Sequence, residues 1–381
     1  MIAFNFNFNF IYVNASDTPN IISQGAIVMD AQTGRVLFGK NIDEPLAMAS
    51  TTKIMTAIIT LENANLKDVV TVGKNPTTAP NVKMNLKQGE EILLENLLYA
   101  LMLESANDSA IAIAEYVFGD VETFCEKMTE KALLLGAKDT IFKTPNGLDL
   151  DDHHSTAYDM AIITQYALQN PKFVEIINTS QVSFSTNKSS YSLTNKNGFL
   201  NIYDGANGVK TGYTNKAGFC FVGSASRDDM TLIAVVLTSG WGTTGKTNRW
   251  QDTKNLLDYG FDNFEYLNII NQGILVDEKG VEISVPVLKG EVDFINIYYQ
   301  DDIVIPISEE EQNNGLINIV LDYQELLEAP TLKDQKIGTA SVFISGELIA
   351  STDILTYQEV SKNTLANNIY NIFKNWVNII K

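Results

Sequence analysis

The chain has 381 residues, enough for two to three domains and for a core that is stable without staples. Hydrophobic residues make up 45% of it, which excludes a wholly disordered protein. A net charge of −19 at pH 7 argues against a nucleic-acid-binding surface, and any contact with an anionic membrane has to be mainly hydrophobic.

The first fifteen residues are largely apolar and end in Val13-Asn14-Ala15, which loosely resembles a signal cleavage pattern. No Lys or Arg precedes Arg35, and Phe alternates with Asn from Phe4 to Phe10 as in a strand. Residues 1–15 are therefore read as a degenerate or truncated signal peptide. Gly25 to Asp30, a turn at Ala31 to Gly34 and a return through Arg35 to Phe38 predict a hairpin. It leads into Ala49-Ser50-Thr51-Thr52-Lys53, followed by an apolar run from Ile54 to Leu61.

As the first turn of a buried helix, this stretch places Ser50 Oγ and Lys53 Nζ on one face. A serine hydroxyl is a poor nucleophile without a base, and a lysine can be that base if burial and nearby cations lower its pKa. Taken alone, the stretch is more simply a polar cap with Lys53 in water.

Residues 68–95 predict short strands and loops, with Pro76, Pro80 and the Gly89-Glu90 turn breaking any helix. A helical pattern from Leu93 to Leu103 breaks at Glu104-Ser105-Ala106-Asn107-Asp108, before another helix from Ser109 to Val117. Ser105 and Asn107 either cap a helix or project two hydrogen-bonding groups from a loop. Further helices are predicted over 121–135 and 157–169, with a turn-rich loop at Pro145 to Asp149 and an exposed hairpin within 180–206. Apolar strands follow at Gly218 to Ala225 and Thr231 to Leu237, preceded by Gly208 to Thr214, where Gly212 would let another backbone approach closely. A helix is predicted over 247–259.

Cys125 and Cys220 read more simply as two buried thiols than as one disulfide. The adjacent His153 and His154 give no metal-ligand spacing, so neither a metal nor another cofactor is expected. Past residue 266 short Val/Ile-rich strands recur, an all-β domain over 266–356 in which nothing looks catalytic. The tail, 357–381, carries Leu365, Ile369, Ile372, Phe373 and Trp376 at helical spacing. Such a helix either lies on a membrane surface or docks on its own protein. No apolar run reaches the roughly 18 residues of a membrane-spanning helix.

Three motifs now stand in order on predicted helix, loop and strand: Ser50-x-x-Lys53, Ser105-x-Asn107 and Lys210-Thr211-Gly212. Together they resemble the D-alanyl-D-alanine carboxypeptidases, the low-molecular-mass penicillin-binding proteins. The likeness extends through Asp30 to Lys53, Asn146 to Asp149, Ser155 to Ala157, Lys210 to Ala225, Arg249 to Phe261, the β-domain and the tail. The middle motif carries Ala106 where the broader pattern has aspartate.

The resemblance implies an α+β fold. Residues 16–265 would form a β-lactamase/transpeptidase-like domain, an antiparallel sheet with helices on both sides plus a helical subdomain. It also implies that Ser50 attacks the carbonyl between the terminal D-alanines of a peptidoglycan pentapeptide. Lys53 would be the base, Lys210 would help keep it neutral, Ser105 would relay the proton, and Asn107 would hold Lys53 and the substrate amide. Lys210 and Thr211 would bind the terminal carboxylate, the strand through Gly212 would pair with the peptide, and the N–H groups of Ser50 and Tyr213 would form the oxyanion hole. Arg249 would assist carboxylate recognition or sit on a helix surface. β-Lactams would acylate Ser50, and the protein would work in cell-wall biogenesis and cell shape on the outer face of a bacterial cytoplasmic membrane.

Two other readings weigh less. A class A β-lactamase needs a Glu-x-x-x-Asn loop that residues 108–209 lack. A non-catalytic wall-binding protein on the same scaffold would be expected to have lost Ser50, Lys53 or Lys210. Endopeptidase action on crosslinks would use the same residues.

Overall fold

The computed structural model describes residues 2–4, 18–80, 82–277 and 279–364. The expected signal peptide, apart from residues 2–4, and the expected tail helix beyond residue 364 lie outside the described residues. The chain divides into two compact units, residues 17–263 and residues 264–381 with 1–16.

The unit 17–263 is built on a five-stranded sheet in the order Val36–Lys40, Gly25–Asp30, Met230–Leu237, Gly218–Arg227 and Ala206–Thr214. All neighbours run antiparallel. The strands Gly25–Asp30 and Met230–Leu237 read as nearly unbroken apolar runs, and they are buried almost throughout, as strands covered on both faces must be. The helices Ala157–Leu168 and Gly242–Asn263 pack on those strands. A second layer gathers around the helix Lys53–Asn63, against which Asn107–Phe118 and Val121–Leu134 pack. Buried Ile54, Met55, Ile58, Leu101, Ile113 and Phe124 join both layers in one core.

Three local departures from the sequence pattern occur. Pro76 sits inside the one-turn helix Lys74–Thr77, where its missing N–H falls in the first turn and costs no bond. The helix Pro171–Asn178 does not stand out by periodicity, because eight residues show little of it. Its start is nonetheless marked, by Pro171 in the first turn and by the Asn170 side chain accepting from the N–H groups of Lys172 and Phe173. The helix Leu94–Tyr99 widens into a π-helical turn over Ala100–Glu104.

The second unit has its own core, including Ile295, Ile297, Ile305, Ile307, Val342 and Ile354. Its main sheet pairs Ile317–Tyr323 with Lys336–Ile344 and that strand with Glu347–Thr356. Ile2–Phe4 adds to it alongside Ile317–Tyr323. A short helix, Glu309–Asn313, interrupts the strands, started by a capping box between Ser308 and Glu311.

Candidate active site

Ser50 lies in a single 3-10 turn, Ala49–Thr52, that runs directly into the helix Lys53–Asn63. The first eight residues of that helix are buried, because it forms the centre of the helical layer. Lys53 is therefore 0% exposed, an unusual place for an amine. Its Nζ lies 2.9 Å from Ser50 Oγ, 2.9 Å from Asn107 Oδ1 and 2.5 Å from the Asn146 carbonyl. Asn107 Nδ2 donates to the Pro80 carbonyl at 3.2 Å, which fixes the amide so that its oxygen faces Lys53.

Burial, and after it the charge of Lys210, hold the Lys53 pKa well below the ordinary lysine value, with Asp108 opposing. A neutral lysine amine has two hydrogens and one lone pair. Asn107 Oδ1 and the Asn146 carbonyl can only accept, so they take both hydrogens and leave the lone pair to the Ser50 hydroxyl. The geometry fits a serine activated by a lysine.

Ser105 ends the π-helical turn in the left-handed conformation, with φ 62°, and is half-buried. Asp108 anchors the start of the next helix, since its buried carboxylate accepts from the N–H groups of Met84, Leu86 and Ser109 at 3.0, 3.1 and 3.0 Å. The segment 82–86 and the Ser105–Asn107 turn are thus tied together.

The strand Ala206–Thr214 closes the sheet, and no described strand pairs beyond it. Lys210 is 2% exposed and donates to the Thr211 carbonyl at 3.0 Å. Burial, and then the Arg249 charge, bring its pKa down to about 7. A Cβ on Gly212 would lie 3.0 Å from Ser50 N and 3.0 Å from Ala49 Cβ, so a glycine lets this strand lie against the Ser50 turn. Thr211 is half-buried, while Tyr213 is exposed and packs on Phe219 at 4.6 Å between ring centroids.

Arg249, from the helix Gly242–Asn263, is buried. Its guanidinium lies 4.9 Å from the centre of the Phe219 ring and 4.1 Å from that of Trp250. Its Nε has no hydrogen-bond partner among the described residues, and burial lowers its pKa to about 10.

Two residues of the site, Asn146 and Gly147, carry no side-chain motif that assigns them a role. Asn146 meets Lys53 through its backbone carbonyl, which no side-chain pattern announces. Gly147 has φ +81°, and a Cβ there would lie 2.0 Å from the Ala49 carbonyl oxygen. The Asn-Gly turn signal is the visible trace of that approach. Cys125 and Cys220 are free and buried, and no cluster suited to a metal occurs among the described residues.

Residues 12–240 match the sequence profile described as D-alanyl-D-alanine carboxypeptidase, and residues 264–362 match that of the penicillin-binding protein 5 C-terminal domain. The D-alanyl-D-alanine carboxypeptidase DacF of Bacillus subtilis is 32% identical over 346 residues, covering 89% of this chain and 86% of that protein. The D-alanyl-D-alanine carboxypeptidase DacA of Escherichia coli is 30% identical over 371 residues, covering 93% of this chain and 88% of the relative. Among solved structures, penicillin-binding protein 5 of Haemophilus influenzae superposes with a TM-score of 0.76 at 28% identity, covering 91% of this chain and 100% of that one.

Proposed function

The chain belongs to the D-alanyl-D-alanine carboxypeptidase family, and we propose that the cluster around Ser50 and Lys53 carries out its serine-peptidase reaction. Lys53 takes the Ser50 proton as Oγ attacks the carbonyl between the last two D-alanines of a peptidoglycan stem peptide. The oxyanion forms against the N–H groups of Ser50 and Tyr213, donors typically worth about 3 kcal/mol each in acyl transfer. The C–N bond then breaks, Ser105 passes the proton to the departing amine, and free D-alanine leaves. Water hydrolyses the ester on Ser50 and restores the hydroxyl.

Lys210, Thr211 and Arg249 receive the substrate's terminal carboxylate, and the open edge at Gly212 pairs with the extended peptide. Asn107 holds Lys53 and the substrate amide. A β-lactam acylates Ser50 by the same attack. Catalysis is assigned to residues 16–265, and a non-catalytic role to the β-domain, 266–356. The protein acts outside the cytoplasm on the cell wall, with the apolar stripe of residues 357–381 holding it to the membrane surface.

The observation that carries this reading is the amine of Lys53, buried and depressed in pKa, 2.9 Å from Ser50 Oγ. Ser50→Ala is expected to abolish D-alanine release and labelling by a fluorescent penicillin while leaving Tm unchanged. Labelling of that variant at the normal rate would refute the assignment.

A further inference from the structure

Behind the nucleophile turn runs a row of hydrogen bonds that the reaction above does not use. The backbone N–H of Lys143 donates to His153 Nδ1 at 3.0 Å. A backbone N–H can only donate, so Nδ1 carries the lone pair and the proton of the neutral ring sits on Nε2. Nε2 lies 3.0 Å from Thr52 Oγ1, and the Thr52 hydroxyl donates to the Ala49 carbonyl at 2.8 Å. Every donor and acceptor in the row is thereby fixed in direction. His153 is 3% exposed and Thr52 0%, so water does not compete for these bonds. Burial, with the charges of His154 and Lys216 behind it, lowers the ring's pKa to about 4 and keeps it neutral at physiological pH.

The Ala49 carbonyl shares a peptide plane with the Ser50 N–H. In a planar trans peptide the two point in opposite directions, so a bond that holds the carbonyl also aims the N–H. This peptide needs holding, because Ala49 has φ 49°, a left-handed conformation that a non-glycine residue adopts only at a cost. We propose that His153 and Thr52 act as a positioning relay that aims the Ser50 N–H into the oxyanion hole. The inference rests on Ser50 being the nucleophile, as proposed above.

The test uses the full chain with Thr52→Val, which removes the hydroxyl at constant size, Thr52→Ser, which keeps it, and His153→Phe. Two quantities are read: the rate constant of penicillin acylation per labelled Ser50, and the inhibition constant of a boronic-acid analogue of the peptide, whose tetrahedral adduct places an oxygen in the oxyanion hole. Thr52→Val and His153→Phe are expected to lose roughly 10- to 100-fold in both, in parallel, with Thr52→Ser restoring most of the loss. A purely structural role would lower Tm and the labelled fraction without changing the rate constant per labelled site, and that result overturns the relay. So does wild-type behaviour of Thr52→Val. Failure of the wild-type chain to be acylated at Ser50 would overturn the catalytic reading, and the relay with it.

Discussion

Lys53, Lys210 and Arg249 place three basic side chains in buried positions, and burial more than mutual repulsion sets their protonation. Each pKa is depressed, burial acting first and, for both lysines, a neighbouring cation second. The proposed reaction requires Lys53 neutral and Lys210 charged, so kcat/KM is expected to rise as Lys53 loses its proton and to fall as Lys210 does, near pH 7 in the free enzyme. Arg249→Gln removes a positive neighbour, favours charged Lys210 and should move the alkaline limb to higher pH; a limb that stays put contradicts the coupling. Stability has a matching sign. The folded pKa of Lys210 lies below the ordinary 10.5, so between about pH 7 and 10.5 the unfolded chain binds more protons and stability rises with pH. Below that window the buried charge is a burden. Lys210→Met should therefore be inactive yet raise Tm near pH 6, roughly 2–4 °C for each kcal/mol recovered, with the gain fading by about pH 10.5. A Tm that falls at pH 6 would show that the Lys210 charge stabilises the fold.

At the scale of elements, the contacts made by side chains at set spacings left a trace in the sequence: Ser50 and Lys53 three apart where a 3-10 turn meets a helix, and Asn107 just after a helix break. Those made by backbone did not. The Asn146 carbonyl acts on Lys53 whatever its side chain is, and the π-helical turn before Ser105 leaves no periodic trace in five residues. Gly147 lies between these cases, since Asn-Gly marks a turn but does not say what the turn presses against. A matched pair of substitutions separates turn strain from that contact. Gly119 has φ +89°, and a Cβ added there would meet open space, so Gly119→Ala should cost about 1 kcal/mol or somewhat more and leave acylation unchanged. Gly147→Ala has the same backbone problem and in addition drives a methyl into the Ala49 carbonyl. It should cost more than Gly119→Ala by urea titration and slow penicillin acylation sharply. Equal effects on acylation would mean that the loop does not shape the nucleophile turn.

For the whole molecule, the loss of helical periodicity near residue 266 made the change of character visible, because helix and strand periods differ wherever one face is buried. What composition could not show is how the segment before the first long strand is held to the unit 17–263. Ile22 and Ser23 donate three backbone and side-chain bonds at 3.1, 2.7 and 2.5 Å to Asp252 Oδ2, a buried carboxylate on the helix that also carries Arg249. The candidate residues Ser50 to Arg249 all fall within 17–263, and the two units have separate apolar cores. A fragment of residues 17–263 should therefore fold alone, bind penicillin covalently and release D-alanine from a soluble peptide at close to the full-length rate. A fragment begun at residue 25 loses the Asp252 contacts, leaves that carboxylate buried without those donors, and should be less stable by about 1–3 kcal/mol. The full chain should then show two calorimetric transitions, of which penicillin acylation shifts only the one shared with the fragment. A single transition displaced as a whole would mean that the β-domain folds cooperatively with the unit 17–263.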